Sequence, residues 1–224
     1  MLGVEFDGAL TMENEVEDLA NRCYWKLRTL LRAQRYFSME QLMIQYKTHI
    51  LPFLEHSTPA LYHATDILLP TVDRVQKTFL RRVRLTEETA FLDHNLLPLS
   101  TRRDIAMLGV VHRTVLGEGP PHFQKWFFSR RWSRPLNTRL ATKEHRYQLH
   151  DYLGGTHTEL LRRTALGLPR VYNNLPNKVV EHKAVKDFQK ALTNFVRQQL
   201  EQNRKDWKTC LSPRSTRVDK VTYT

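Results

Sequence analysis

Residues 72–84 read Val-Asp-Arg-Val-Gln-Lys-Thr-Phe-Leu-Arg-Arg-Val-Arg. Apolar residues recur in this stretch at steps of three and four positions, which is the spacing of one face of an α-helix. The pattern begins a few residues earlier, so we predict a helix over about 66–84 that buries Leu69, Val72, Val75, Phe79, Leu80 and Val83. The other positions are mostly polar or basic, which predicts an amphipathic helix packed against a core.

The basic residues of this helix have a helical spacing of their own. Arg74, Lys77, Arg81 and Arg84 recur at steps of three or four, Arg82 lies beside this row, and no acidic residue lies between positions 74 and 84. Such a row can follow the phosphates of a nucleic acid, because each contact adds affinity by releasing counterions. A solvated face of a basic protein has the same pattern, so both interpretations remain open.

Helical periodicity extends over most of the chain. Apolar spacing and capping residues predict helices over about 12–33, after a capping box of Ser38 and Gln41, after Thr86, from Ser100 or Thr101 to Gly117, and over about 183–200. Only Leu2–Asp7 alternates apolar and polar residues as a strand does. Five aromatic residues are predicted to pack in the core: Trp25, Tyr46, Phe79, Phe188 and Phe195.

These patterns predict a mainly α protein divided into several regions. A short orphan N-terminal strand lies within residues 1–11, and a helical bundle covers 12–128. The last three regions are a basic linker or loop over 129–157, a separate C-terminal helical segment over 158–202 and a disordered tail over 203–224.

The charge of the chain is strongly positive and unevenly distributed. Lys and Arg number 35 against 23 Asp and Glu, which gives a formal net charge of +12. Residues 1–21 contain six acidic and no basic side chains, so the remainder carries 12 + 6 = +18. This balance favours a polyanionic partner, nucleic acid first and an anionic membrane surface second. A helical protein with solvated basic faces fits the composition equally well.

The sequence constrains the cellular compartment and the catalytic chemistry of the protein mainly through motifs that it does not contain. The two cysteines cannot form a disulfide framework, and neither a long apolar run nor a signal-peptide pattern occurs. We therefore expect an intracellular protein, nuclear or cytoplasmic, without membrane attachment. The sequence contains no adjacent Asp-Asp pair, and its histidines lack metal-ligand spacing. Accordingly, no catalytic residue, metal site or cofactor is predicted in this chain.

Two further basic groups are weaker candidates for nucleic-acid binding. Arg102 and Arg103 open a predicted helix, where the dipole disfavours cations unless an anion is bound. Arg103 could equally pair with Asp104 or another neighbouring acid. Arg130, Arg131 and Trp132 combine guanidinium groups with an aromatic ring, which suits stacking on a single strand. An ordinary flexible basic loop would have the same composition.

Five blocks, in the same order along residues 2–210, resemble the C-terminal portion of jockey-type non-LTR retrotransposon reverse transcriptases. They are Leu2-Gly3-Val4 with Phe6-Asp7, the segment 46–56 (Tyr-Lys-Thr-His-Ile-Leu-Pro-Phe-Leu-Glu-His), Val75-Gln76-Lys77 with Phe79-Leu80-Arg81, Leu97-Pro98-Leu99 with Arg102-Arg103, and Tyr172-Asn173-Asn174-Leu175-Pro176 followed by Phe188. His56 stands where the family pattern usually has tyrosine.

The resemblance implies an RNA-directed DNA polymerase from a mobile element, of which this chain would be a truncated part. Residues 1–11 would be the remnant of the palm primer-grip strand, 12–128 a thumb-like helical domain and 158–202 a C-terminal extension. The chain would hold RNA and DNA as a template–primer duplex and be inert alone, since the family's Mg²⁺ is bound by a palm that this chain lacks. The alternative is a free-standing basic helical module that binds nucleic acid or another protein.

Overall fold

A computed structural model describes residues 4–127, 145–153 and 158–215 of the chain. Within these ranges the regular structure is helical, which confirms the predicted mainly α class. The α-helices are α1 (Glu13–Arg32), α2 (Met39–His49), α3 (Leu51–His56), α4 (Thr58–Leu61), α5 (Leu69–Arg82), α6 (Glu87–His94), α7 (Leu99–Val115), α8 (Pro121–Gln124), α9 (Thr158–Arg162), α10 (Leu168–Asn173), α11 (Asn177–Val180) and α12 (Val185–Glu201). Among the described helices, none is both long and apolar enough to cross a bilayer.

The chain divides into two compact units, Met1–Arg103 and Asp104–Thr224. This division falls inside α7, whereas the sequence patterns predicted a boundary at residue 128. The contacts of α7 explain the difference. Arg103 is paired with Asp73 of α5, and His112 stacks on Phe188 of α12 with ring centroids 4.0 Å apart.

The first unit has a core built mainly by α1 and α5. Val16, Leu19, Cys23 and Leu27 of α1 are buried, and the ring of Tyr46 from α2 stacks on Phe79 of α5 at 4.2 Å. All six residues predicted for the buried face of α5 are at most 6% exposed: Leu69, Val72, Val75, Phe79, Leu80 and Val83. The apolar spacing of residues 69–83 therefore identified the packed face of α5.

Local capping chemistry begins and ends several helices as predicted. Ser38 and Gln41 form the capping box of α2, with Gln41 N–H donating to Ser38 Oγ and Ser38 N–H donating to Gln41 Oε1 at 3.3 and 2.9 Å. Thr86 caps α6 by accepting from Thr89 N–H at 3.1 Å. Gly117 has φ +82° just after α7, a left-handed conformation that glycine adopts without strain.

The described part of the predicted N-terminal strand, residues 4–7, lies outside regular secondary structure, so the strand remains a prediction. Asp7 instead organises the entry into α1. Its carboxylate accepts hydrogen bonds from the backbone N–H groups of Ala9, Thr11 and Met12 and from the Thr11 hydroxyl. These bonds, that of Thr11 N–H foremost, favour the ionised form and lower the pKa of Asp7.

The second unit contains an ordered segment where disorder was predicted. Residues 203–215 form turns that bury Trp207 and Leu211 at 3% and 1% exposure. The prediction of a disordered tail is therefore wrong for residues 203–215, and its remainder, 216–224, lies outside the described residues. Two apolar anchors four positions apart fix this segment although its other residues are mostly polar.

Residues 145–153 belong to the predicted basic linker or loop. They form a loop that packs on α10: Leu149 N–H donates to Asn173 Oδ1 at 2.8 Å, and Asn173 Nδ2 donates to the Leu149 carbonyl at 2.9 Å. His145, Leu149 and Leu153 are buried. This part of the predicted linker is thus attached to the core of the second unit.

We expect Tyr46→Phe to raise the free energy of unfolding by about 1 kcal/mol, because a buried hydroxyl without a partner costs stability. Among the described residues, Tyr46 Oη has no hydrogen-bond partner, and burial raises the pKa of this phenol. Urea denaturation followed by circular dichroism measures the change. Tyr172→Phe is the matched control and should lose stability, since Tyr172 Oη is bonded to His112. A loss in Tyr46→Phe would contradict the prediction.

Candidate nucleic-acid interface

The basic row of α5 lies on its solvent-facing side. Arg74, Lys77 and Arg81 are all exposed, and their spacing places them on one side of the helix, opposite the buried face. No ion pair joins these three residues to an acidic side chain within the described ranges. Arg81 donates to Thr78 Oγ1 at 3.2 Å and to the Lys77 carbonyl at 3.4 Å, so its guanidinium lies along the helix surface.

The only acidic residue of α5 does not offset this positive charge. Both carboxylate oxygens of Asp73 accept hydrogen bonds from the Arg103 guanidinium, at 2.7 and 3.0 Å. The Arg103 side chain is 8% exposed and that of Asp73 is 18% exposed, so the two charges compensate each other close to the core. The outer side of α5 therefore presents three cations without a competing carboxylate.

The two arginines at the start of α7 have partners inside the first unit. Arg102 donates from Nε to the carboxylate of Glu55 on α3, and Arg103 binds Asp73 as described. Arg103 is therefore paired with an acid, but the partner seen is Asp73, 30 positions away in the sequence. Since both guanidinium groups are paired with acids of the first unit, they are not part of the candidate interface.

The remaining predicted basic residues separate into three places. Arg84 follows α5 in a left-handed conformation, φ +59°, and is exposed. Arg82 is also exposed, but it turns toward α1 and lines a cleft there. The predicted cluster Arg130, Arg131 and Trp132 lies outside the described residues.

The cleft beside Arg82 brings in two basic residues that the sequence analysis did not single out. It has a volume of about 260 Å³ and is lined by Arg28, Leu31 and Arg32 of α1, by Gln34 and by Arg82. Three guanidinium-bearing residues from two helices thus meet at one concavity. The sequence contained a signal for them, since positions 19–39 include five Lys or Arg residues and no acid.

The prediction that Trp25 packs in the core is wrong. Its side chain is 70% exposed. The buried face of α1 includes Cys23 and Leu27, and Trp25 lies two positions from each, about 200° around the helix. It shares the outer side of α1 with Asn21, Arg28 and Arg32, at successive steps of four, three and four residues.

No three His, Cys, Asp or Glu side chains of the described residues are placed to bind a metal ion together. No family model, curated protein or solved structure matches this chain.

Proposed function

We propose that this chain binds nucleic acid through the outer side of α5. The observation that carries the proposal is the set of three exposed cations, Arg74, Lys77 and Arg81, on a helix whose only carboxylate is bound to Arg103. A nucleic-acid backbone is a polyanion with regularly spaced charges, and its affinity for such a row grows with each phosphate contacted.

The geometry of α5 suits a duplex backbone. A rise of about 1.5 Å per residue separates Arg74 from Arg81 by roughly 10.5 Å along the helix axis. One strand of a duplex advances about 3.4 Å along its axis per phosphate, so the row spans roughly three phosphate intervals. Long, flexible Lys and Arg side chains adjust to the difference between the two repeats. The net charge of +12 adds a long-range attraction that steers the same partner.

On the resemblance described above, the proposed ligand is the RNA–DNA template–primer of a reverse transcriptase, held by the thumb-like domain predicted over residues 12–128. The chain alone is proposed not to polymerise, because it contains no adjacent Asp-Asp pair. In this proposal the protein positions a duplex, and it is expected to do so inside the cell, in the nucleus or cytoplasm.

The triple variant Arg74→Gln/Lys77→Gln/Arg81→Gln tests this proposal. We expect at least a tenfold loss of affinity for an RNA–DNA duplex, because three phosphate contacts are lost. The negative slope of log affinity against log salt should become smaller in magnitude by about 3. Fluorescence anisotropy with a labelled duplex over a salt series measures both values.

The matched control is Lys178→Gln/Lys186→Gln/Lys190→Gln, which removes the same charge from exposed positions of the second unit. Equal losses in the two triple variants would mean that binding follows net charge and that α5 is not the interface. Absence of duplex binding by the unchanged chain at low salt would contradict the function itself. Mg²⁺-dependent primer extension by the chain alone would contradict its proposed inactivity.

A further inference from the structure

We propose that the outer side of α1 and Arg82 bind single-stranded nucleic acid, with Trp25 stacking on a base and Arg28, Arg32 and Arg82 binding the backbone. The inference rests on the proposed function in so far as the chain binds nucleic acid. It adds a second contact surface, distinct from the row on α5, and names the form of nucleic acid that this surface takes.

The three arginines indicate an anion. Arg28, Arg32 and Arg82 line one cleft of about 260 Å³, and no ion pair joins any of them to an acid within the described residues. Like charges held together repel each other, and a bound phosphate removes that repulsion while accepting bidentate hydrogen bonds from guanidinium groups. The acids nearest to Arg28 and Arg32 along the chain, Asp18 and Glu40, lie outside the acid-free stretch 19–39, and Asp18 pairs with Arg22 at 3.1 Å.

Trp25 supplies the second element of recognition. A second cleft, of about 350 Å³, is lined by Asn21, Tyr24, Trp25 and Arg28. Arg28 borders both clefts, so the exposed indole ring and the arginine cluster lie side by side along α1. An exposed apolar side chain alone needs no explanation. An indole with arginines one and two turns further along the same helix face is the combination that single-strand binding surfaces use.

The indole ring distinguishes a single strand from a duplex. Inside a duplex the faces of the bases are stacked on each other, so a side chain can reach phosphates but not base faces. An unpaired base offers its face, and stacking on an aromatic ring is tolerant of sequence because every base has one. The polar amide of Asn21 at the edge of the Trp25 cleft can accept and donate hydrogen bonds to a base edge.

The test compares Trp25→Ala and Trp25→Phe in the full chain, with a single-stranded oligothymidylate and a blunt duplex of equal length as probes. We expect Trp25→Ala to weaken single-strand binding about 5- to 100-fold, with duplex binding changed less than twofold, and Trp25→Phe to recover most of the loss. Because Trp25 is exposed, both variants should keep the helical circular dichroism of the unchanged chain.

The second variant is Arg28→Gln/Arg32→Gln/Arg82→Gln. It should lower the salt slope of single-strand binding by about 2, the value for three contacts to a flexible strand. Arg74→Gln/Lys77→Gln/Arg81→Gln is the matched control, with the same charge change on the α5 row, and it should weaken duplex binding more than single-strand binding.

Three outcomes would overturn the inference. In the first, Trp25→Ala binds the single strand like the unchanged chain. In the second, it loses the same affinity for both probes. In the third, polyglutamate or anionic lipid vesicles displace the single strand, and their own binding depends on Trp25 as strongly as single-strand binding does. That result would identify the surface as a binding site for an acidic protein or a membrane. Duplex binding that still depends on α5 would leave the proposed function standing in each case, whereas failure of both probes to bind would remove both proposals.

Discussion

Asp73→Ala is expected to lower the free energy of unfolding by about 3–5 kcal/mol, because removal of one partner leaves a buried charge uncompensated. The Arg103 side chain is only 8% exposed and gives two hydrogen bonds to Asp73, at 2.7 and 3.0 Å. Without the carboxylate, the guanidinium must either remain unpaired near the core or pull the start of α7 toward water. Chemical denaturation monitored by circular dichroism measures the loss.

Two controls separate this cost from a general effect of substitution. Asp73→Leu/Arg103→Met removes both charges while keeping apolar bulk, and it should recover most of the lost stability. Glu55→Ala breaks the pair between Glu55 and Arg102, whose side chains are 33% and 28% exposed respectively. Because this pair is more exposed, its loss should cost about 1 kcal/mol or less. Equal losses for Asp73→Ala and Glu55→Ala would contradict the burial argument.

The same ion pair links stability to the proposed interface. In Arg103→Met, the Asp73 carboxylate would lose its partner and remain negatively charged next to Arg74. A carboxylate beside the row of Arg74, Lys77 and Arg81 repels the phosphates that the row is proposed to bind. In this proposal the role of Arg103 is indirect: it neutralises the one acid of α5 without contacting the ligand.

Local sequence patterns predicted the helices and their caps because those features depend on neighbours along the chain. The apolar spacing of α5, the capping box of Ser38 and Gln41 and the glycine at 117 are all local, and each is confirmed. The partners of Arg102 and Arg103 are 47 and 30 positions away, so no local pattern indicates them. The division of the chain inside α7 depends on the same long-range contacts.

Trp25 shows a different kind of error. Its hydrophobicity suggested burial, but its position two residues after Cys23 places it opposite the face that packs on α5. Four smaller residues already fill the face of α1 that packs on α5. The position of Trp25 on the helix therefore decides its exposure, and its hydrophobicity does not. The acid-free stretch of α1, with its regularly spaced arginines, can be identified from the sequence as a basic surface. The approach of Arg82 to Arg28 and Arg32 cannot, because it depends on the packing of α1 on α5.

His112→Ala is expected to lower the free energy of unfolding by about 3–5 kcal/mol, the usual cost of deleting a buried ring. The imidazole is fully buried and stacks on Phe188 at 4.0 Å. Its Nε2 donates to the His182 carbonyl at 2.7 Å, so in the neutral ring Nδ1 accepts from the Tyr172 hydroxyl at 2.8 Å. Alanine removes the stack and leaves both partners unsatisfied. Urea denaturation at pH 7.5 gives the value.

The pH dependence of the free energy of unfolding shows whether the neutral form of the His112 ring stabilises the second unit. Burial lowers the pKa of His112 below its ordinary 6.5, helped by the nearby His182 and His145, despite the opposing hydrogen bond to the His182 carbonyl. The unfolded chain therefore binds the proton more readily. The stability from this group is complete above pH 6.5 and falls below it, by at most about 1.4 kcal/mol per pH unit. His112→Gln, which can make both hydrogen bonds without titrating, should flatten this dependence, and an unchanged slope would show that another group causes it.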